Sequence, residues 1–197
     1  VNIKIAEDGE ILAKGPNIME GYYNKKEKTD EAIDKDKWFH TGDIGEIDSD
    51  GFLKITDRKK SLIVTSGGKN IAPAPLENAL LNSVYIDQCI AVGDKKNFIS
   101  SLIVPNFEAL EDFLTKKEVN VSGKQAIIEH ELVINLFNNI LETSMSNFAK
   151  YEKIKKYSLL TDLWTLEKGE LTPSLKVVRR VVHKNYNDKI ESMYIDK

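Results

Sequence analysis

Between residues 124 and 148 apolar side chains recur every fourth position in two adjacent rows, Ile128, Leu132, Leu136 and Ile140 beside Val133, Phe137, Leu141 and Met145. That spacing places both rows on one stripe of a helix, the arrangement required of a helix that lies on a sheet. One long helix over 124–148 is therefore expected, with strands beneath it. Tyr85 to Val92 and Phe98 to Val104 read as two such strands joined through Gly93 to Asn97, and Tyr157 to Leu160 as a short third. A further helix starts at an Asn106 cap with Phe107, Leu110, Phe113 and Leu114 on one face. Ala72-Pro73-Ala74-Pro75 leads into another through Leu76, Ala79 and Leu80, since proline lacks the N–H that would go unpaired in a first turn. Thr172-Pro173 is read as the start of a last helix, with Leu175, Val178, Val181 and Val182 turned inward.

The first 57 residues differ in texture. Residues 1–5 and 10–14 alternate around a turn at Asp8-Gly9, and Ile44 to Asp48 faces Phe52 to Thr56 across Ser49-Asp50-Gly51, a strong hairpin signal. Between them Lys25 to Asp36 reads as a solvated helical segment. So small a strand-only piece buries too little surface to stand alone, and it is expected to belong to a larger upstream sheet. Asp57-Arg58-Lys59-Lys60 then interrupts the apolar pattern. The expected organisation is α+β with a boundary there: residues 1–57 form the end of one domain and residues 58–197 a second.

Composition excludes several classes of function. With 28 Lys and Arg against 31 Asp and Glu, the net charge of −3 offers no basic field for nucleic acid, so no such partner is expected. The single cysteine, Cys89, cannot form an internal disulfide and reads as a small apolar strand residue. Apolar runs such as Leu62 to Val64 fall far short of the roughly 20 residues that cross a bilayer. The chain opens directly into a strand pattern, with no initiator Met and no leader, and is read as a fragment of a longer protein.

Few side chains invite chemistry. Thr41-Gly42-Asp43 sets a carboxylate after a glycine, either as an ordinary turn or as an acceptor for vicinal hydroxyls such as those of a ribose. Arg58 could engage phosphate or sugar oxygens through its planar fork, or form an ion pair. Ser66-Gly67-Gly68-Lys69 lacks the spacing of a phosphate-binding P-loop. Lys176, Arg179 and Arg180 would stand in the first turns of the last helix, where the positive end of its dipole disfavours cations; an anionic ligand or a solvated face are the two explanations. His40, His130 and His183 have no metal-ligand spacing, and no metal site is expected.

Four segments in order, however, form a pattern: Trp38-Phe39-His40-Thr41-Gly42-Asp43, Gly51-Phe52-Leu53-Lys54-Ile55-Thr56-Asp57-Arg58-Lys59-Lys60, Gly67-Gly68-Lys69-Asn70-Ile71-Ala72-Pro73, and Glu170-Leu171-Thr172-Pro173-Ser174-Leu175-Lys176. Together they resemble the C-terminal part of AMP-forming acyl-CoA synthetases of the adenylate-forming superfamily, and Gly15 to Tyr23 resembles the stretch preceding the aspartate motif. The resemblance covers nearly the whole chain. It implies a small mobile C-terminal domain, a short antiparallel sheet flanked by helices, preceded by a β-rich piece of the large adenylation domain.

The same resemblance implies a function. A carboxylate would attack the α-phosphate of Mg-ATP to give acyl-AMP and pyrophosphate, and the thiol of coenzyme A would then displace AMP. Asp43 would hold the ribose hydroxyls with Arg58 assisting at the nucleotide; Lys60 would be the hinge; Gly67 and Gly68 would approach the pantetheine; Lys176 would be the catalytic lysine of adenylation. Leu175 stands where many relatives have glycine, and Val64 replaces a lysine of the luciferase branch. The 124–148 insertion and the Glu170 to Lys176 wording resemble long-chain fatty-acid ligases. ATP, Mg2+ and coenzyme A are the implied cofactors, with Mg2+ and most ATP contacts expected from the N-terminal domain upstream, the chain's main partner. The fragment alone is expected to be inactive, and the whole protein cytoplasmic, with peripheral membrane association left open. Two alternatives stand beside the ligase: a degenerate nucleotide-binding module, and an adenylation domain feeding a carrier protein.

Overall fold

A computed structural model describes residues 1–195. The chain forms two compact units, Val1–Leu62 and a second that begins at Ile63. Together they make an α+β chain with antiparallel pairing in each unit.

The first unit is a four-stranded antiparallel meander of β1 (Asn2–Ile5), β2 (Glu10–Lys14), β3 (Phe39–Ile47) and β4 (Leu53–Arg58), paired in that order. Turn chemistry sets the registers. Asp8 Oδ1 accepts the Glu10 N–H at 3.1 Å beside Gly9 at φ +85°, and Ile5 then faces Ile11. Asp48 Oδ1 accepts from the N–H groups of Asp50 and Phe52, with Gly51 in the left-handed region, and Ile47 faces Leu53. Helix α1 (Lys26–Ala32) buries none of its residues, as its charges foretold. Within this unit Ile11 and Leu12 are the buried apolar side chains among the described residues, while Phe52 and Ile55 are 71% and 62% exposed.

The second unit opens with a two-stranded ladder, β5 (Ile63–Val64) and β6 (Asn70–Ile71), followed by α2 (Pro73–Leu81). Its main sheet has the order β7 (Ile86–Val92), β8 (Ile99–Pro105), β9 (Ile154–Leu159). The first pair is antiparallel, but β9 joins parallel to β8. Parallel pairing needs a long crossover, supplied here by α3 (Phe107–Lys116), α4 (Lys124–Glu129) and α5 (Glu131–Ser144). Every residue of β8 is buried, because the sheet is covered on both faces. Cys89, Ala91, Ile99 and Ile103 pack against α2 to α5; Ile90, Val92, Leu102 and Val104 pack against Trp164, Val182, Ile190 and Met193.

Two expectations need correction. The single helix over 124–148 is two helices. His130, at φ −70° and ψ 134°, leaves helical geometry, and its Nδ1 accepts the Leu132 N–H at 3.2 Å to cap α5. The fully inward row is Val133, Phe137 and Met145, whereas Leu132, Leu136 and Ile140 lie at its partly buried margin. The last helix does not begin at Thr172-Pro173 either. It starts at Arg179 as α6 (Arg179–Asn185), continued by α7 (Asn187–Ser192), and residues 171–177 form a hairpin turn instead. The Thr172 hydroxyl and carbonyl close that turn, and Leu175 points to solvent at 70% exposure. Of the four residues expected inward, Val182 alone is fully buried.

Candidate functional site

The first constellation is built on β3, whose run Thr41-Gly42-Asp43 bends where Gly42 takes φ +72°. The bend is held from below by a buried carboxylate. Glu10, 3% exposed, accepts the Gly42 N–H on Oε1 at 3.0 Å; its Oε2 lies 2.8 Å from His40 Nδ1 and 2.9 Å from Lys59 Nζ. An ionised carboxylate only accepts, so Nδ1 of His40 is the donor. Burial pushes the Glu10 carboxyl up, but His40, Lys59 and the Gly42 amide together outweigh that and hold it below its ordinary value. Lys59 also reaches Asp8 Oδ2 at 2.7 Å. This bond lowers the Asp8 carboxyl, and the two acids raise the Lys59 ammonium.

Thr41 locks the other side of the bend. Its hydroxyl donates to Ile11 O at 2.8 Å and accepts the Asp43 N–H at 3.1 Å. Asp43 then faces Arg58 across the β3–β4 register, with Arg58 Nε 3.1 Å from Asp43 Oδ1. A carboxylate offers about four acceptor positions, so this bond leaves Asp43 able to receive a pair of hydroxyls. The structure thus brings Asp43 and Arg58 together. Glu10 and Lys59 were missed in the sequence, where one reads as a strand residue and the other as part of a charge run; a carboxylate directly before Ile11-Leu12 was the one available signal.

Lys60 lies in a 3-10 turn, Lys59–Ser61, near the end of the first unit. Gly67 and Gly68 belong to the second unit, in an exposed turn between β5 and β6. The Gly68 N–H donates to Thr65 O at 2.9 Å with φ +73° at Gly68, a conformation that favours glycine. Ser66 ties this turn to the β7–β8 connection, donating its N–H to Lys96 O at 2.9 Å and its hydroxyl to Asn97 Oδ1 at 2.7 Å.

Lys176 stands on the 171–177 hairpin, exposed, and not in a helical first turn as expected. The positive end of a helix dipole therefore does not act on Lys176; of the three cations expected in a first turn, Arg179 and Arg180 stand there, in α6. Its backbone is tightly tied: Thr172 N–H donates to Lys176 O at 2.8 Å, and Lys176 N–H to Thr172 Oγ1 at 3.1 Å. Leu175 takes φ +60°, the left-handed region, at the position where glycine was expected in relatives. Among the described residues the Lys176 ammonium has no hydrogen-bond or ion-pair partner, and no group of three or more His, Cys, Asp or Glu could hold a metal ion. No helix among them is long and apolar enough to cross a membrane.

Residues 60–197 match the family described as the AMP-binding enzyme C-terminal domain, and the chain belongs to that family. It is 39% identical over 195 residues to the long-chain-fatty-acid-CoA ligase FadD15 of Mycobacterium tuberculosis, covering 98% of this chain and 32% of that protein. It is 36% identical over 210 residues to a long-chain-fatty-acid-CoA ligase of Xenopus laevis, covering 95% of this chain and 28% of the relative. The chain thus spans about a third of the length of these curated relatives. Among solved structures, it resembles the adenylation domain of a carboxylate reductase from Mycobacterium chelonae, with a TM-score of 0.72 and 25% identity over 95% of this chain and 28% of that one. It also resembles the O-succinylbenzoate coenzyme A synthetase of Bacillus subtilis in complex with AMP, with a TM-score of 0.59 and 27% identity over 91% of this chain and 32% of that one.

Proposed function

We propose that the whole protein is an ATP-dependent, AMP-forming fatty acid:CoA ligase and that this chain is its nucleotide-facing and mobile C-terminal part. The observation that carries the reading is the 39% identity, over nearly the whole chain, to a relative named as a long-chain-fatty-acid-CoA ligase. In the first step a fatty-acid carboxylate oxygen attacks the α-phosphorus of Mg-ATP, and the bond to pyrophosphate breaks. In the second the coenzyme A thiol attacks the acyl carbon, AMP leaves, and the thiol proton is released.

Each candidate residue has a physical task in that scheme. Asp43, with acceptor capacity beyond its bond to Arg58, receives the ribose hydroxyls, and Arg58 supplies positive charge beside the nucleotide. Lys176 neutralises charge that grows on the α-phosphoryl oxygens, a task suited to an ammonium with no competing partner among the described residues. Lys60 is the hinge about which the second unit turns between steps, so that closure separates the two half-reactions. The Gly67-Gly68 turn lets backbone approach the pantetheine without a side chain in the way. Mg2+ enters with ATP as part of that substrate.

The test is fatty-acid-dependent pyrophosphate release by the intact gene product. Release that requires a long-chain acid and collapses in Lys176→Ala supports the ligase; no release with any acid returns the protein to a nucleotide-binding module. Likeness to carboxylate-reductase adenylation domains, one of them solved with its carrier domain, favours a second acceptor. Acyl transfer to a carrier thiol and not to free coenzyme A would establish that alternative.

A further inference from the structure

The hairpin that carries Lys176 is anchored on both flanks by buried or half-buried ion-dipole and ion-pair contacts. On the incoming side Glu170, 1% exposed, accepts the Asn185 side-chain amide on Oε1 at 3.0 Å and the Thr165 N–H on Oε2 at 3.2 Å. Its own carbonyl accepts the Val178 N–H at 2.8 Å, closing the base of the hairpin. On the outgoing side Arg179 grips Glu77, its Nη2 lying 2.7 and 2.6 Å from the two carboxylate oxygens, while Nη1 donates to Ala91 O at 3.2 Å. Glu77 Oε1 also accepts the Ala91 N–H at 2.6 Å, fixing that carboxylate to β7.

A charged carboxylate sealed from water is costly unless every lone pair that matters is satisfied. A simple turn on the surface needs neither Glu170 nor a forked ion pair. Both stand immediately beside the hairpin, one on each arm, and both tie it to rigid elements, α6 on one side and α2 with β7 on the other. Between these anchors the Lys176 backbone is hydrogen-bonded, and its ammonium is uncommitted among the described residues.

We infer that Glu170 with Asn185, and Arg179 with Glu77, are positioning residues that preorganise the Lys176 hairpin for adenylation. This deepens the proposed function and rests on the reading of Lys176 as the adenylation lysine. A lysine on a slack loop would lose rate through misplacement, since displacement of about 1 Å can cost about a hundredfold. The two anchors hold the lysine's attachment point, so they act through Lys176 and not on the nucleotide.

The experiment uses the intact gene product and its two half-reactions, acid-dependent ATP–pyrophosphate exchange and thioester formation from preformed acyl-AMP. Glu170→Gln sets an amide donor against one of the donors that now meet the carboxylate; Asn185→Ala removes one partner; Arg179→Lys keeps charge but loses the planar guanidinium. Each is expected to lower exchange by about tenfold to a hundredfold, in kcat more than in KM for ATP, with thioester formation within about twofold of wild type. In a Lys176→Ala background none should lower exchange further. Equal losses in both half-reactions, or additional loss in that background, overturn the positioning role while leaving Lys176 in place. Wild-type exchange that survives Lys176→Ala overturns the reading of the lysine and the anchors with it.

Discussion

Glu10 Oε2 lies 2.8 Å from His40 Nδ1, so a carboxylate on β2 is fastened to the residue that opens the bend carrying Asp43. The two are 30 positions apart, and the contact exists because β2 and β3 pair with Leu12 opposite His40. Glu10 also holds the Gly42 amide, which makes it the central support of the bend.

Glu10→Gln is therefore expected to loosen the bend without emptying it. One of its three donors loses an acceptor, and an unmet buried donor costs about 1–3 kcal/mol. In the intact protein KM for ATP should rise severalfold while the acid's KM changes little. An unchanged KM for ATP would show that Asp43 is held by the β3–β4 register alone.

Asp43→Ala should have a larger effect. It removes the acceptor proposed for the ribose and leaves Arg58 without its partner at 3.1 Å. Hydrogen bonds to charged groups contribute about 1.5–3 kcal/mol, so ATP binding should weaken by about tenfold to a hundredfold. Competition by AMP against ATP, wild type against variant, measures this directly.

Acid should destabilise the Glu10 cluster. Glu10 and Asp8 have folded-state values lowered from their ordinary 4.5 and 3.8. Their contribution is present in full above those ordinary values and is lost as pH falls through the lower folded ones. Lys59 is raised from 10.5, so its share persists below that value and is lost only as alkali passes the higher one. Urea stability of wild type measured at pH 7 and pH 3 should fall more than that of Glu10→Gln; parallel decline would remove Glu10 from the account.

Leu175→Gly is expected to stabilise. A left-handed leucine costs roughly 1–2 kcal/mol in backbone strain, and the side chain at 70% exposure repays little of it. Glycine gives back part of the gain as chain entropy, leaving about 0.5–1 kcal/mol. A small rise in the midpoint of thermal unfolding is the expected result, and a fall would mean that the leucine side chain is doing packing work.

Phe137→Ala and Leu136→Ala separate the centre of the inward stripe of α5 from its margin. Phe137 is 1% exposed and should cost about 3–5 kcal/mol through the cavity it leaves. Leu136 sits at the margin, and its loss should cost less than half as much. Equal costs would place Leu136 as deep against the sheet as Phe137, with both rows fully inward as the spacing alone suggests.

Much of this fold is legible locally. Asp8-Gly9, Asp48 to Gly51 and the Asn106 cap specify their turns through short-range hydrogen bonds, and the nearly continuous apolar runs of β7 and β8 follow from burial on two faces. His130 escaped notice because the apolar rows run through it unbroken; its imidazole competes for the Leu132 amide, which periodicity does not register. Thr172-Pro173 misled in the opposite direction. Proline suits a helix start, but the Thr172 hydroxyl bonds the Lys176 amide and closes a hairpin before any helix forms.

Residue types and their spacing were sufficient for the α+β character, the two hairpin turns of the first unit, the solvated α1 and the family to which the chain belongs. Which residues support the candidate site came from contacts between distant segments: Glu10 with His40 and Lys59, Glu170 with Asn185, Glu77 with Arg179. The parallel seating of β9 was settled in the same way, by a crossover that returns the chain to the edge of β8. Local patterns record the conformational preferences of a few neighbouring residues. The partner of a buried charge is chosen where desolvation and geometry are resolved together, which happens when the chain has folded.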